Sequence, residues 1–225
     1  MHERPELDLR TLPPSERQAR VFEAFDAIGV GASFVLVDER DPKPLFHELH
    51  ARRAGRFEWN VLEAGPERFR VEVQRRAEAP RGVTELLEID HRRLDALLAD
   101  ARTLASGGSF EDAAARFAEF RCGLDRHIDV EEKVLFPVFE DATGMTHGPT
   151  AVMRHEHVQI RRGMADVSDA LARRDADGVR ASIGALEDVL STHNLKEERV
   201  LYPMTDEAVG DDRAREELVR QLQAY

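Results

Sequence analysis

The sequence predicts an α+β protein of two domains, a small βαβαββ sandwich followed by an all-α, up-down-up-down four-helix bundle. Three observations predict this fold. Strand and helix patterns alternate over about the first 75 residues, strand patterns disappear after Thr84, and the helical part contains an internal repeat. We place the domains at residues 1–76 and 84–225, joined by a linker at residues 77–83.

The N-terminal region carries strand and helix patterns in the order βαβαββ. Its strands show either strict alternation of polar and apolar residues or a short β-branched run after glycines, and a Gly65-Pro66 turn separates the last two. The predicted elements are strands at 6–10, 33–37, 57–62 and 69–73, a helix that begins at residues 13–16 and directs Val21, Phe22 and Phe25 toward a core, and a helix from Pro44 to Ala51. This order is typical of a small α/β sandwich.

The C-terminal region contains four long amphipathic patterns. Helices are expected from Thr84 to Gly107, from Ser109 toward Gly144, from Thr150 to the break at 175–178, and from there through Pro203, with a short fifth helix after Asp212. Apolar residues recur every three or four positions on each, which gives every helix one buried face. On the second helix this face is expected to continue through Val134 and Val138, and on the fourth through Val200.

Composition excludes several functional classes. The formal charge of −12, with basic and acidic residues interleaved, disfavours nucleic acid as a partner. No apolar run approaches the ~20 residues of a membrane-spanning helix, so no membrane partner is expected. The first residues, Met1-His2-Glu3, do not resemble a secretory signal, and the single cysteine, Cys122, cannot form an internal disulfide. We therefore expect a cytoplasmic protein.

The helical region repeats a motif that contains potential metal ligands. The string from His127 to Pro137, HIDVEEKVLFP, returns between His193 and Pro203 as HNLKEERVLYP, 66 residues later. Asp90-His91 corresponds to Glu156-His157 at the same offset. Two matching helix pairs in an antiparallel bundle are related by a pseudo-two-fold axis, so the repeated residues can converge.

Six residues interrupt otherwise apolar faces at a similar depth. They are His91, His127, Glu131, His157, His193 and Glu197. Burying such groups without a partner would cost several kcal/mol per ion, and a bound cation removes that cost. One buried histidine alone is more often a hydrogen-bonded core residue, but six on four matching faces indicate a metal site. Two imidazoles on each of two metals, bridged by two carboxylates, suit octahedral iron or manganese better than tetrahedral zinc.

The residues next to these six are interpreted differently. His155 projects away from His157 and is expected on the surface, and His47 and His50 are not expected to bind metal. The acidic neighbours of the ligands face either solvent or the ligand histidines; they are Asp90, Glu132, Glu156 and Glu198. Phe136 and Tyr202 occupy matching positions and are expected to pack the pocket, with Tyr202 also a candidate hydrogen-bond donor to a bound ligand.

The HxxxEE and L[FY]P strings, with His91 and His157, resemble the hemerythrin-like cation-binding family over residues 85–205. The resemblance implies an up-down-up-down bundle holding two iron ions per chain with an oxo or hydroxo bridge, on the six residues named above. Oxygen-carrying hemerythrins have a second histidine on the third helix, where this chain has Met153 and Arg161. The four-histidine pattern is more similar to iron-sulfur-cluster repair proteins and to iron- and oxygen-sensing hemerythrin domains, and it implies an open position on both irons.

The N-terminal domain also resembles a known family. The strings DLR at 8–10, DPKPL at 41–45 and FEW at 57–59 are similar to an uncharacterised TusA-like domain family found beside hemerythrin-like modules. A histidine common in that family is replaced by Arg40. The resemblance makes this domain a candidate for binding a protein partner.

These observations favour a non-haem di-iron protein that binds O2 or NO, or handles iron, in oxidative or nitrosative stress. It is more consistent with a binding protein than with a conventional enzyme. One alternative is a di-iron oxidase or peroxidase, although oxygen-activating centres carry four carboxylates and two histidines, the converse of the ratio here. A second alternative is an iron or redox sensor that signals through the N-terminal domain.

Overall fold

The structure is a computed structural model that describes residues 4–53 and 56–225. It divides into two units. One contains the described residues up to Pro80 together with Gln223–Tyr225, and the other is Arg81–Leu222. The domain boundaries at residues 76 and 84 stay a prediction. The expectation of no secretory signal concerns Met1–Glu3, which lie outside the described residues.

The N-terminal unit is a four-stranded sheet with two helices, in the predicted order βαβαββ. Its elements are β1 (Glu6–Asp8), α1 (Pro14–Ala27), β2 (Ser33–Asp38), α2 (Lys43–Arg53), β3 (Phe57–Ala64) and β4 (Phe69–Arg75). The strand order is β1-β2-β4-β3, with β1 parallel to β2 and the other pairs antiparallel. Its core contains five aromatic residues among aliphatic ones, and Phe46 contacts both Phe57 and Trp59 edge to face.

The second unit is the predicted bundle. Its helices are α3 (Val83–Ser106), α4 (Phe110–Val130), α5 (Phe136–Thr143), α6 (Pro149–Ala172), α7 (Ala176–Lys196) and α8 (Tyr202–Val209), followed by α9 (Asp212–Ala224). Helices α4 and α5 form one continuous rod, as do α7 and α8. Neighbouring rods pack as α3 on α4, α4 on α6, α6 on α7, and α7 on α3, which closes an up-down-up-down bundle. No described helix has the length and apolarity needed to cross a membrane.

The bundle core consists of two apolar clusters with a polar layer between them. The larger cluster includes Leu94, Leu124, Ile160 and Leu190, and the other cluster includes Leu87, Leu135, Met153 and Leu201. The six histidine and glutamate residues singled out by the sequence lie between these two sets along their helices. Their depth in the bundle therefore follows directly from the apolar pattern on either side.

A five-residue π-helical turn interrupts each long rod, at Glu131–Leu135 and at Glu197–Leu201. The extra residue in each turn rotates the following helix, so the prediction that the buried face continues to Val200 is wrong. Val134 is partly buried and packs against the second apolar cluster. Val200 is 45% exposed, whereas Leu201 and Tyr202 are fully buried. The prolines at 137 and 203 provide a physical reason for the π turns, because a proline ring clashes with the carbonyl four residues earlier in a regular α-helix.

Candidate metal centre

The bundle brings all six predicted residues into one buried layer. His91 comes from α3, His157 from α6, and the two HxxxE pairs come from the α4 and α7 rods. No member of the set is more than 4% exposed, and both glutamates are fully buried. That these residues bind metal stays a prediction, but their convergence is a feature of the fold.

The four histidines form two pairs that face each other across the bundle axis. In one pair, the Nε2 atoms of His91 and His127 are 3.1 Å apart. In the other pair, the ring centroids of His157 and His193 are 4.9 Å apart. These pairs correspond through the 66-residue repeat, so each pair belongs to one half of a pseudo-symmetric centre.

Each glutamate lies between the two pairs and offers one oxygen to each. Glu131 places Oε1 3.8 Å from Nε2 of His127 and Oε2 3.3 Å from Nε2 of His157. Glu197 places Oε2 3.4 Å from Nε2 of His91 and Oε1 3.0 Å from Nε2 of His193. Neighbouring ligands of an octahedral ion at 2.0–2.1 Å are separated by about 3 Å. The spacing therefore fits two ions bridged by two carboxylates.

Hydrogen bonding distinguishes the two halves. Among the six residues of the layer, three buried donor or acceptor atoms have no aligned hydrogen-bond partner, and all three lie on the side of the His157–His193 pair. They are Nε2 of His157, Oε2 of Glu131 and Oε1 of Glu197. Buried polar atoms nearly always have a hydrogen-bond partner. These three atoms have none and lie close together, and we call them the orphaned atoms; their arrangement fits the ligand set of a cation.

Four acidic residues fix the orientation of the imidazoles. Each histidine Nδ1 lies 2.8–3.0 Å from a carboxylate oxygen on a neighbouring helix. The pairs are His91 with Glu198, His127 with Asp90, His157 with Glu132, and His193 with Glu156. An Nδ1 that donates its proton to carboxylate leaves the Nε2 lone pair directed at the centre, as metal ligation requires. The sequence predicted that these four acidic residues face either solvent or the ligand histidines, and in the structure they contact the histidines.

Protons on His91 and His193 offset the negative charge of the buried glutamates in this layer, as a bound cation would. Burial by itself lowers the pKa of His91 and of His193, but the charge of the nearby Glu197 carboxylate and a hydrogen bond with a second carboxylate outweigh it and raise each pKa to about 9. Burial likewise raises the pKa of Glu197, but His193 and His91 hold it well below its ordinary value. The centre therefore favours positive charge, which protons or a metal can supply.

Tyr202 contributes a hydroxyl to this layer, whereas its repeat partner Phe136 cannot. Tyr202 Oη donates to Oε1 of Glu131 at 2.7 Å and is 3.1 Å from Oε2 of Glu197. The ring of Phe136 stacks on His157 at an interplanar angle of 11°. Phe136 thus packs the pocket as predicted, but Tyr202 does more than pack. The tyrosine in the second L[FY]P string was the available sequence signal.

A small cavity adjoins the layer on the side of the larger apolar cluster. It has a volume of about 10 Å³ and is lined by both members of the first histidine pair, by His193, and by apolar residues such as Leu94, Phe120 and Leu190. That volume is about the smallest that holds one water-sized molecule. His155 lies outside the site, exposed as predicted.

The helical bundle and its buried layer of histidines and carboxylates are what is expected of a metal-binding bundle protein. Comparison with family models agrees. Residues 82–205 match the hemerythrin HHE cation binding domain, which is 124 of the 225 residues, and the chain belongs to this family of metal-binding proteins. Residues 6–75 match a second family, described as an uncharacterized conserved protein (DUF2249). Both predicted resemblances are thereby confirmed. No match was found among curated proteins or among solved structures.

Proposed function

We propose that this protein is a non-haem di-iron protein that binds O2 or NO, or handles iron, in the response to oxidative or nitrosative stress. The observation that carries the proposal is the set of three orphaned atoms, Nε2 of His157, Oε2 of Glu131 and Oε1 of Glu197, which converge in a site with no exposed side chain. A cation there would satisfy all three at once.

The donor set supports two octahedral ions of the iron type. His91 and His127 would hold one ion, His157 and His193 the other, and Glu131 and Glu197 would bridge them. Four imidazoles and two carboxylates exceed what one tetrahedral zinc ion takes. When bound, an iron pair supplies one-electron chemistry and coordination positions for small molecules.

The surroundings of the centre favour a small ligand over an organic substrate. The adjoining cavity of about 10 Å³ has no room for more than a molecule of water size. Its walls include the imidazoles of His91 and His127 from one half and that of His193 from the other, so the cavity adjoins both halves of the layer. Apolar side chains form most of the remaining wall, beside Asp95 and Asn194. This geometry supports binding of a diatomic molecule and argues against a bulky substrate.

The ligand ratio also supports binding over oxidase or peroxidase activity. Carboxylate-rich di-iron centres use four carboxylates and two histidines, whereas this layer contains four histidines and two glutamates. The four outer carboxylates hydrogen-bond to imidazoles and do not face the centre.

The test is an anaerobic titration of metal-free protein with iron(II), followed by exposure to O2 or to NO in separate samples. We expect two irons per chain in the wild type and in a His155→Ala control, and at most one in His157→Ala, which loses a histidine of the second ion. Saturable NO binding with negligible turnover of hydrogen peroxide supports the proposal. Rapid, sustained peroxide consumption would favour the peroxidase alternative, and failure to retain iron would refute the di-iron centre itself.

A further inference from the structure

The hydroxyl of Tyr202 lies in the middle of one half of the proposed centre. Besides its contacts with Glu131 and Glu197, it is 3.4 Å from Nε2 of His91 and 3.4 Å from Nε2 of His127. These four atoms are the ones that would ligate the first ion. The phenol oxygen is therefore within reach of an ion held by this half, and its side chain is fully buried.

The other half has no such oxygen. Phe136 replaces tyrosine at the equivalent position of the repeat, and its ring lies against His157 with centroids 5.8 Å apart. The corresponding distance between the rings of Tyr202 and His91 is 5.9 Å. The two aromatic rings thus occupy equivalent places in the two halves, and they differ by one oxygen atom.

The orphaned atoms follow the same division. All three belong to the Phe136 half, while the corresponding oxygens in the other half, Oε1 of Glu131 and Oε2 of Glu197, are both hydrogen-bonded to Tyr202. Tyr202 therefore satisfies the ligand atoms of its half, and those of the Phe136 half have no such partner.

We infer that Tyr202 is a terminal ligand of the iron held by His91 and His127, and that external ligands bind only at the iron held by His157 and His193. The inference rests on the proposed di-iron function. Coordination is through the phenolate oxygen, and the phenol proton is released to solvent as the ion binds. The protein would then bind one small molecule per centre, although both irons belong to a pseudo-symmetric site.

The chain is suited to a spectroscopic test, because it contains only two tyrosines, Tyr202 and Tyr225. Tyr225 lies at the C-terminus and is 39% exposed. The full chain is loaded with iron, oxidised, and examined by visible absorption and resonance Raman spectroscopy. We expect a phenolate-to-iron(III) charge-transfer band with enhanced tyrosine ring modes in the wild type and in Tyr225→Phe. Tyr202→Phe should lose both features while retaining two irons.

The matched variant Phe136→Tyr adds the missing oxygen to the second half. We expect the charge-transfer intensity to rise about twofold. NO bound to the reduced protein should change from one per chain in the wild type to two in Tyr202→Phe, and it should fall to nearly none in Phe136→Tyr. Ring-deuterated tyrosine in the wild type gives an assignment that needs no variant, because it shifts the Raman modes of a coordinated phenolate.

The possible failures are distinguishable. Wild-type protein that binds two irons but shows no phenolate band would overturn this inference and leave the di-iron proposal intact. A band that survives in Tyr202→Phe, or NO binding at two per chain in the wild type, would overturn it as well. Wild-type protein that binds no iron would refute the proposed function, and this inference with it.

Discussion

Loading the centre with metal should raise the thermal stability of the bundle substantially. Each buried polar atom without a partner costs about 1–3 kcal/mol, so the three orphaned atoms together destabilise the metal-free fold by roughly 3–9 kcal/mol. Ion binding removes this penalty. The gain observed at a given free metal concentration follows mass action and is about 2.7 kcal/mol at one hundred times Kd.

This free energy converts to a measurable shift. The unit Arg81–Leu222 contains 142 residues. For a unit near this size each kcal/mol moves Tm by about 2–4 °C, so a rise of about 5–11 °C is expected at one hundred times Kd. The assay is a far-UV circular dichroism melt with and without Mn2+, a redox-silent substitute for iron(II). The signal comes mainly from the bundle, because the longest helices are there.

Two histidine variants test whether the stabilisation comes from metal bound at this layer. The shift should persist in His155→Ala, whose side chain is exposed, and should be clearly smaller in His157→Ala, whose fully buried side chain is one of the two histidines assigned to the second ion. The single tryptophan, Trp59, belongs to the N-terminal unit and reports the melting of that unit by fluorescence. An unchanged bundle transition at saturating Mn2+, or equal shifts in the two histidine variants, would refute the assignment.

The remaining predictions concern the outer carboxylates, pH and helix capping. Glu198→Gln should weaken iron binding about 10–100-fold, because the Glu198 carboxylate accepts a hydrogen bond from Nδ1 of His91. Glu187→Gln, on the surface of the same rod, should leave iron affinity unchanged. Equal affinities of the two variants in competition with a chelator would contradict this role of Glu198. Metal-free protein should lose stability as pH rises. Protonated His91 and His193 contribute stability that is fully present below about pH 6.5 and is lost as the pH rises past about 9, their raised pKa in the folded protein. Denaturant unfolding across this pH range measures the loss, and the metal-loaded protein should not show it. Finally, Asp206→Ala should lower the free energy of unfolding of the bundle in urea by about 1–2 kcal/mol without changing metal stoichiometry. The reason is that the Asp206 carboxylate accepts hydrogen bonds from the first two backbone amides of α3. An unfolding free energy equal to that of the wild type within error would argue against this capping role.

Most of the fold and the six candidate ligands could be predicted from sequence, for a local reason. Alternation with a period of two identifies a strand, and apolar residues every three or four positions show which face of a helix is buried. His127 and Glu131 are one turn apart on such a face, and the 66-residue repeat places His193 and Glu197 in the same relation. These relations depend only on the geometry of each helix.

The residues misjudged from sequence lie after the π turns. Val200 was expected in the seam and is exposed, because the wide turn at Glu197–Leu201 inserts an extra residue before α8. The same insertion rotates Tyr202 into the centre. Periodicity assumes a uniform helix, and Pro203 alone did not specify how the helix would adapt.

The sequence by itself therefore determined the two domains, the bundle and the six residues of the layer. Only the tertiary structure decided which outer carboxylate orients which histidine, and that Tyr202 contacts one histidine pair while Phe136 covers the other. Asp90 shows the reason, because it is adjacent to His91 in sequence but bonds to His127 on the next helix. Such contacts depend on the packing and relative rotation of neighbouring helices, which no single-helix pattern contains.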